Sequence, residues 1–477
     1  MTLVRYGEKA GRWVLLATVL GSGIAFIDST VVNIALPHIG TELGANAESL
    51  QWTVNGYTLP LAAFILLGGS LGDRFGRRRV FVVGVTWFAV ASLLCGVAPN
   101  VETLITARAL QGVGGALLTP GSLAILQSSF DAEDRSRAIG AWSGLGGIAG
   151  AAGPFLGGWI VQVTSWRYVF LINLPLAALV VAVALRHVPE SSDPDAAKRL
   201  DVSGAGLGAL GLAGVTYGFT AWPDRGATDP LVLGSLTAGV VAMAGFLLVE
   251  ARSPHPMLPL WIFRSRAFSA TNLVTFVVYS AIGGVFFFLV LTLQVVVGYS
   301  PLAAGLSPLP VTVLLLLLSA RSGALAQRIG PRLPMSLGPL ICAAGVTLLA
   351  GIGPGSTYVS GVLPGVVVFG LGLALTVAPL TATALASADD RHAGIASGVN
   401  NAVARAAGLM AVAILPLAAG VGSSLIDPDT LGPANRTSML ICAALLAAGG
   451  VLAFATIPST LAAVRPSSQP GAVPDVR

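Results

Sequence analysis

The chain has 477 residues, of which 55% are hydrophobic and only 10% charged, and its mean hydropathy is +0.83. Soluble domains carry about 25% charged residues, and surface-to-volume scaling limits the apolar surface that a soluble fold can bury, so this composition excludes an ordinary soluble protein. The net charge of +5 is more typical of cytoplasmic loops that face anionic lipid than of a nucleic-acid-binding protein.

About fourteen apolar segments approach the roughly 20 residues that a membrane-spanning helix requires. Helices are expected because backbone groups find no water partners in hydrocarbon. The first run continues to about Leu36 without a clear small-residue cleavage site, which favours a spanning helix over a signal peptide. The predicted spans are 13–36, 50–71, 80–98, 102–128, 137–162, 167–186, 202–221, 231–250, 268–296, 302–325, 334–352, 358–386, 394–420 and 438–458.

The basic residues predict the orientation of these spans. If the N-terminus is cytoplasmic and the loops alternate sides, the outer segments contain only Arg167, Arg225 and Arg436. This large inner excess of Arg and Lys predicts that both termini are cytoplasmic. Heavy use of Ala, Gly, Val and Arg with scarce Lys is typical of a GC-rich bacterium, so we expect a multi-pass protein of the bacterial inner (plasma) membrane.

A short loop pattern occurs twice and indicates an internal repeat. The stretch "GSLGDRFGRR" at 69–78 aligns with "GALAQRIGPR" at 323–332, although the acid Asp73 becomes Gln327. The predicted organisation is an N-terminal six-helix half at 1–187, a linker with two inserted transmembrane helices at 188–265, a C-terminal six-helix half at 266–460 and a disordered cytoplasmic tail at 461–477. Two six-helix halves related in parallel are the build of major facilitator transporters. The sequence predicts no role for the inserted helices.

Five motifs carry a resemblance to a known family. The loop "GSLGDRFGRRR" resembles the signature loop of the major facilitator superfamily. The stretches "IDSTVVNIALPHI", "QWTVNGYTL", "ARALQGVGGALLTPGSLA" and "GPFLGGWI" with "SWRYVFLINLP" resemble its fourteen-helix drug:proton antiporter family of multidrug efflux transporters. The resemblance implies an all-α polytopic membrane protein with the major facilitator fold, which exchanges exported compounds for protons by alternating access.

Two charged residues lie well inside predicted spans of the first half, Asp28 and Arg108. A bare charge at the bilayer centre costs at least a few kcal/mol, so each needs a partner, a cavity or, for the acid, a proton. The resemblance implies that both act in proton coupling, and we expect Arg108 to act on Asp28. Two alternatives stay open: Asp28 could make a structural hydrogen bond, and Arg108 could tie helices together through backbone carbonyls.

The signature loop supplies a predicted intracellular gate. Its residues are Gly69, Asp73, Arg74, Gly76, Arg77 and Arg78. The arginines fix orientation, and an acid at a helix end can pair with a base or cap a helix N-terminus. We therefore expect Asp73 to form one side of a latch across the two halves; orientation alone is the alternative for the arginines.

The fifth span contains a proline among glycines. Proline kinks a helix, and glycines let a neighbour pack against the bend. The resemblance implies an antiporter helix motif that shapes the outer gate, formed by Gly153, Pro154, Gly157 and Gly158, with Ala149 replacing one family glycine. Ordinary Gly/Ala packing is the alternative, and import is disfavoured by the motif.

Polar and aromatic residues near span centres and ends are candidates for a substrate cavity, because ligand sites combine aromatic walls with few polar groups. These candidates are Asn33, Trp52, Asn55, Tyr57, Gln111, Asn400, Asn401 and Arg405. Because Asp28 is the only clear mid-membrane acid, neutral, zwitterionic or monocationic amphiphiles are favoured over dications. An anionic product attracted to Arg405 is an open alternative.

The predicted protein is a secondary transporter and not an enzyme. No P-loop pattern is visible, which disfavours ATP hydrolysis within this chain, and the three separated cysteines indicate no metal site. We expect a monomer without cofactors whose partners are a small amphipathic substrate, protons and the lipid bilayer, with no nucleic acid. Alternatives are a dedicated exporter of one secondary metabolite, lipid or siderophore, and a non-transporting membrane scaffold or sensor.

Overall fold

A computed structural model of the protein describes residues 4–193, 200–388, 393–421 and 424–460; the predicted tail at 461–477 lies outside these ranges. The described residues are almost entirely helical, and one isolated bridge joins Val4 to Phe130. The helices are α1 Lys9–Leu43, α2 Ala47–Phe75, α3 Arg77–Gly96, α4 Val101–Ser129, α5 Ala132–Val163, α6 Tyr168–Leu171, α7 Asn173–His187, α8 Val202–Arg225, α9 Pro230–Arg252, α10 Arg266–Val295, α11 Pro301–Leu306, α12 Leu309–Ile329, α13 Arg332–Leu349, α14 Leu363–Ala386, α15 Ala393–Ala418 and α16 Pro428–Thr456.

These helices supply fourteen segments that are long and apolar enough to cross a membrane within the described ranges, which confirms the predicted all-α polytopic fold. Two spans are broken in a way that hydropathy did not predict. One is α6 with α7, and the other is α11 with α12. Proline has no backbone N–H for the helical ladder, and Pro175 and Pro308 lie at these two breaks.

The helices form two groups and an inserted pair. In the N-terminal group, α1–α7, helix α1 packs on α5 and α7, and α4 packs on α2 and α3; in the C-terminal group, α10–α16, helix α10 packs on α15 and α16. The inserted helices α8 and α9 pack on each other, and α8 contacts α2 and α15. Their close approach depends on Gly214 and Gly239, since a Cβ on Gly239 would lie 2.6 Å from the nitrogen of Val215.

The repeated loops share a local geometry. Gly76 and Gly330 both have positive φ, at 107° and 86°, which glycine adopts without a steric penalty. Arg78 donates to the carbonyl of Val188 at 3.1 Å, just after α7, and Arg332 donates to the carbonyl of Ile457 at 2.7 Å, just after α16. We call the end of the bundle that carries these loops the basic end.

The two groups meet mainly through four pairs of helices: α1 with α10, α5 with α11, α5 with α12, and α2 with α15. Away from the basic end, Gln294 of α10 donates to the carbonyl of Ile34 at 3.1 Å. Nearer the basic end, Leu66 of α2 packs against a cluster that includes Ala396 and Val399 of α15. The two groups therefore touch at two levels along the bundle, one near the basic end and one away from it.

Candidate functional site

A buried ion pair lies in the middle of the N-terminal group. The guanidinium of Arg108 on α4 donates to Asp28 on α1, with Nη1 and Oδ2 2.5 Å apart. Only 1% of the Arg108 side chain and 0% of the Asp28 side chain are exposed. The two mid-span charges singled out in the sequence are thus direct partners, so neither is left bare in the protein interior.

The pair is the centre of a polar network that joins the helices of this group. Gln111 donates to Asp28 at 2.8 Å and to Ser92 of α3 at 2.8 Å. Asn173, at the start of α7, donates to Asp28 at 3.3 Å. The Asp28 carboxylate has three donors from α4 and α7 and is fully enclosed, and the network around it joins α1, α3, α4 and α7.

Arg108 has further partners besides Asp28. It donates to Gln111 at 2.6 Å and to the backbone carbonyl of Thr53 at 3.1 Å. Its guanidinium also lies 4.4 Å from the ring centroid of Tyr57, a cation–π distance. The two roles weighed for Arg108, acting on Asp28 and tying helices through a carbonyl, therefore coexist in one side chain.

The predicted gate residues contact the segment that follows α7. Asp73 accepts from Arg77 at 2.7 Å, an i,i+4 pair, and its backbone carbonyl accepts from Asp193 at 2.8 Å. Glu190, which the sequence did not single out, lies 3.6 Å from both Arg78 and Arg79. In this conformation, the Asp73 carboxylate is paired within its own loop, whereas a latch to the other half was expected.

Glu190 also explains the conformation of this loop. Its carboxylate accepts from the backbone N–H of Arg78 at 3.0 Å, so it caps the N-terminus of α3. A Cβ on Gly76 would lie 2.7 Å from Glu190 Oε1. A glycine is therefore needed both for the positive φ and for the close approach. Gly69 and Arg74 are less constrained: Gly69 faces Pro120, and Arg74 lies over the ring of Phe75 at 4.9 Å.

The glycines of the fifth span permit close contact with helices on both sides. Gly153 and Gly157 face α1, where a Cβ on Gly157 would lie 3.0 Å from Val31. Gly158 faces α11, where a Cβ would lie 2.5 Å from the carbonyl oxygen of Pro301. The backbone carbonyl of Pro154 lies against Gly305 of α11. This part of α5 therefore packs backbone-to-backbone against α11 of the C-terminal group.

A cavity of about 120 Å³ lies between the groups beside this contact. Asn33 and Pro154 line it from the N-terminal group, and Phe286 lines it from α10. The Oδ1 atom of Asn33 is buried without a hydrogen-bond partner. Asn33 thus has an unused hydrogen-bond acceptor in the wall of this cavity.

The other cavity candidates lie in four different environments. Asn400 and Asn401 line a second cavity of about 110 Å³ with Tyr279 of α10, and Arg405 lies one turn further along α15. Asn55 and Tyr57 are buried on α2 and have unpartnered side-chain atoms. Gln111 belongs to the Asp28 network, and Trp52 lies 6.3 Å from the ring of Tyr217 on the inserted helix α8.

Sequence reasoning missed Ser92 and Asn173 as members of the network, and Glu190 at the basic end. No three His, Cys, Asp or Glu side chains of the described ranges lie together as a metal site requires. The arrangement offers a buried charge pair and two cavities, the first of them mainly apolar.

Comparisons with known proteins agree with this architecture. A model of the Major Facilitator Superfamily matches residues 18–413. The chain is 37% identical over 437 residues to the tetracenomycin C resistance and export protein of Streptomyces glaucescens, covering 90% of this chain and 80% of the relative. It is 35% identical over 389 residues to the multidrug resistance protein Stp of Mycobacterium tuberculosis, covering 81% of this chain and 72% of the relative.

The fold is also found in solved structures. That of a D-xylose-proton symporter has a TM-score of 0.66 at 14% identity and covers 94% of this chain and 98% of the symporter. The resemblance inferred from the sequence motifs is thereby confirmed, together with the multi-pass bacterial membrane character. This chain belongs to the Major Facilitator Superfamily of membrane transporters.

Proposed function

We propose that this protein is a proton-coupled antiporter that exports small amphipathic drugs or antibiotics by alternating access. The single observation that carries the proposal is the enclosed ion pair of Asp28 and Arg108, at 2.5 Å. We further propose that the chain is a monomer with both termini cytoplasmic, so that the basic end faces the cytoplasm, and that it divides at residues 187, 265 and 460 as the sequence predicts.

The ion pair is suited to coupling because its stability depends on one proton. A proton on Asp28 removes the negative charge that balances Arg108, and leaving Arg108 unbalanced in a buried site is costly. Protonation therefore favours an arrangement in which Arg108 finds another anion or water. Because Gln111 and Asn173 also donate to Asp28, a change in this carboxyl alters contacts of α4 and α7 together.

The contacts at the two ends supply the gates in this proposal. At the basic end, the loop with Asp73 and Arg77 is tied to Glu190 and its neighbours, and release of these ties accompanies opening. At the opposite end, Gly158 and Pro301 hold α5 against α11. A ligand and a proton need only differ in their affinity for the two states to shift the balance.

The described roles of the two relatives, export of tetracenomycin C and multidrug resistance, support export of an antibiotic-like compound. They also favour a second candidate, a dedicated exporter of one secondary metabolite, because one relative is described as exporting tetracenomycin C. The two candidates differ in the range of compounds that exchange for protons, which the experiment below measures.

The test is proton exchange by inside-out vesicles with an imposed pH gradient. Wild type and Asp28→Asn are compared as lipophilic cations, neutral antibiotics and anions are added in turn. We expect at least one compound to dissipate the gradient with wild type and none with Asp28→Asn. Asp229→Asn is the matched control, since Asp229 caps α9 through Leu231 and asparagine caps equally well.

Each outcome has a defined meaning. A gradient that no compound dissipates contradicts antiport and favours a scaffold or sensor. If the Asp28→Asn protein responds like wild type, Asp28 is not the residue that couples transport to protons. Accumulation of the same compound by wild type, with and without an ionophore that collapses the pH gradient, tests coupling without any substitution.

A further inference from the structure

The two inserted helices carry buried carboxyl groups at the same end. Asp201 lies just before α8, and Glu250 lies in the last turn of α9. Only 8% of Asp201 and 2% of Glu250 are exposed. Because α7 ends at the basic end and α8 follows it in the chain, both carboxyls lie on the side of the bundle that carries the repeated loops. The export cycle proposed above involves neither of them.

Each carboxyl has one oxygen with a partner and one without. Asp201 Oδ1 accepts from the backbone N–H of Gly204 at 2.7 Å and from the hydroxyl of Ser203 at 3.1 Å. Glu250 Oε2 accepts from the backbone N–H of Leu258 at 3.0 Å. The remaining oxygens, Asp201 Oδ2 and Glu250 Oε1, are buried without a hydrogen-bond partner. Each side chain is thus fixed by a backbone donor and keeps one unused acceptor.

The two unpartnered oxygens border the same small space. A Cβ on Gly204 would lie 2.7 Å from Glu250 Oε1 and 2.8 Å from Asp201 Oδ2, and the two side chains are within hydrogen-bonding reach of each other. An ionised carboxylate only accepts hydrogen bonds, so two carboxylates in this arrangement repel each other and leave both oxygens unsatisfied. One proton between them replaces the repulsion by a hydrogen bond that satisfies both atoms.

No cation among the described residues takes the place of that proton. Neither carboxyl forms an ion pair with a described residue, and Asp201 is the only charged group of the described ranges that acts on Glu250. The nearby basic residues, all exposed, are Arg252, His255 and Arg264. The helices on which α8 packs, α2 and α15, carry Glu48 at the opposite end, Asp73 paired with Arg77, Arg74 over the ring of Phe75, and Arg405 in mid-span.

The carboxyl pair is connected to the contact between the two groups through residues 253–265, which we call the strap. Leu258 of the strap donates its N–H to Glu250. Its side chain packs on the cluster that contains Ile262 of the strap, Leu66 of α2 and Ala396 of α15. This cluster is the basic-end contact described above. The strap is therefore tied to the inserted helices at Glu250 and packed against both groups.

We propose that Asp201 and Glu250 form a proton-binding site, in which one shared proton keeps the strap packed against the basic-end contact. When the proton leaves to solvent, two adjacent carboxylates remain and repel each other. Glu250 then turns away from Asp201, Leu258 loses its acceptor, and the contact between α2 and α15 loosens. The inserted helices thus act as a pH-sensitive clamp on the basic end, whether or not the chain exports drugs.

The first test is the pH dependence of unfolding, measured on the purified full chain in a neutral detergent. The folded protein holds a proton that the unfolded chain releases, so the pair makes wild type less stable as pH rises from about 5 to about 9. Glu250→Gln and Asp201→Asn each replace the proton by a permanent N–H donor. Wild type should therefore release about one proton more on unfolding than either variant.

The matched control is Asp229→Asn at the other end of the inserted pair. Asp229 also accepts from a backbone N–H, that of Leu231, and asparagine caps equally well, so this variant should keep the pH dependence of wild type. If wild type and Glu250→Gln lose stability in parallel, the shared proton is refuted. If Na⁺ or Mg²⁺ at constant ionic strength stabilises wild type in alkali and not Glu250→Gln, a cation joins the two oxygens and the proton site is overturned.

The second test follows the strap directly and requires no change in the pair. Spin labels are attached at Phe75→Cys, at the end of α2, and at His255→Cys in the strap, both exposed positions. The distance between the labels should be short and narrowly distributed at about pH 5 and should lengthen by about pH 9, and Glu250→Gln should keep the short distance throughout. A distance that does not change with pH in wild type contradicts the clamp.

Discussion

Replacing Asp28 or Arg108 alone should each destabilise the folded protein strongly, and the two single losses should sum to more than the loss caused by replacing both. Both side chains are at most 1% exposed, and removing one partner of a buried pair leaves an uncompensated charge that costs about 3–5 kcal/mol. In Asp28→Asn, Arg108 keeps Gln111 and the carbonyl of Thr53, so we expect a cost near the lower end. In Arg108→Gln, the Asp28 carboxylate keeps only neutral donors, so we expect the upper end.

The measurement is a double-mutant cycle on the free energy of unfolding, obtained by denaturant titration in mixed micelles. The variant Asp28→Asn/Arg108→Gln removes both charges, so its loss of stability should fall short of the sum of the single losses by about 2 kcal/mol. The control cycle uses Asp229→Asn and Arg436→Gln, where Asp229 is half-buried and Arg436 is exposed in a different part of the chain, so their effects should add. If the losses at Asp28 and Arg108 were additive, the view that each buried charge is stabilised by the other would be refuted.

Two further predictions concern the gates. Gly158→Ala places a Cβ 2.5 Å from the carbonyl oxygen of Pro301, so it should hold α5 away from α11 and reduce transport. Spin-label distances between the two helices measure the first effect, and the vesicle assay measures the second. The control is Gly144→Ala in the same helix, where a Cβ meets nothing within 4 Å, and it should change neither the distance nor transport. Glu190→Gln loses the ionic contacts to Arg78 and Arg79, and it should lower transport with normal membrane insertion, as should Asp73→Asn; normal transport by both variants would show that the basic-end loop has no gating role.

Much of the fold is predictable because it depends on local composition. A run of apolar residues must be helical in lipid wherever it lies, so the fourteen spans follow from hydropathy alone. The breaks near Pro175 and Pro308 were missed because the apolar runs continue through them. Hydropathy measures how apolar a residue is, and it does not detect the backbone N–H that a proline lacks.

The site was less predictable because its bonds join distant parts of the chain. A pairing of Asp28 with Arg108 could be expected, since both are mid-span charges of the first half and each needs a partner. Ser92 and Asn173 carry no charge and show no such need, so nothing in the sequence assigned them to Asp28. Glu190 lies in a polar stretch that reads as a solvated linker, and only the fold brings it to the N-terminus of α3.

The placement of the Asp28–Arg108 pair limits how the two groups can communicate in the proposed cycle. The hydrogen bonds around Asp28 lie within the N-terminal group, and the tight contacts between α5 and α11 involve glycine and backbone, which do not change with protonation. A proton on Asp28 can therefore influence the C-terminal group only by moving whole helices, such as α1, which carries Asp28 and also packs on α10.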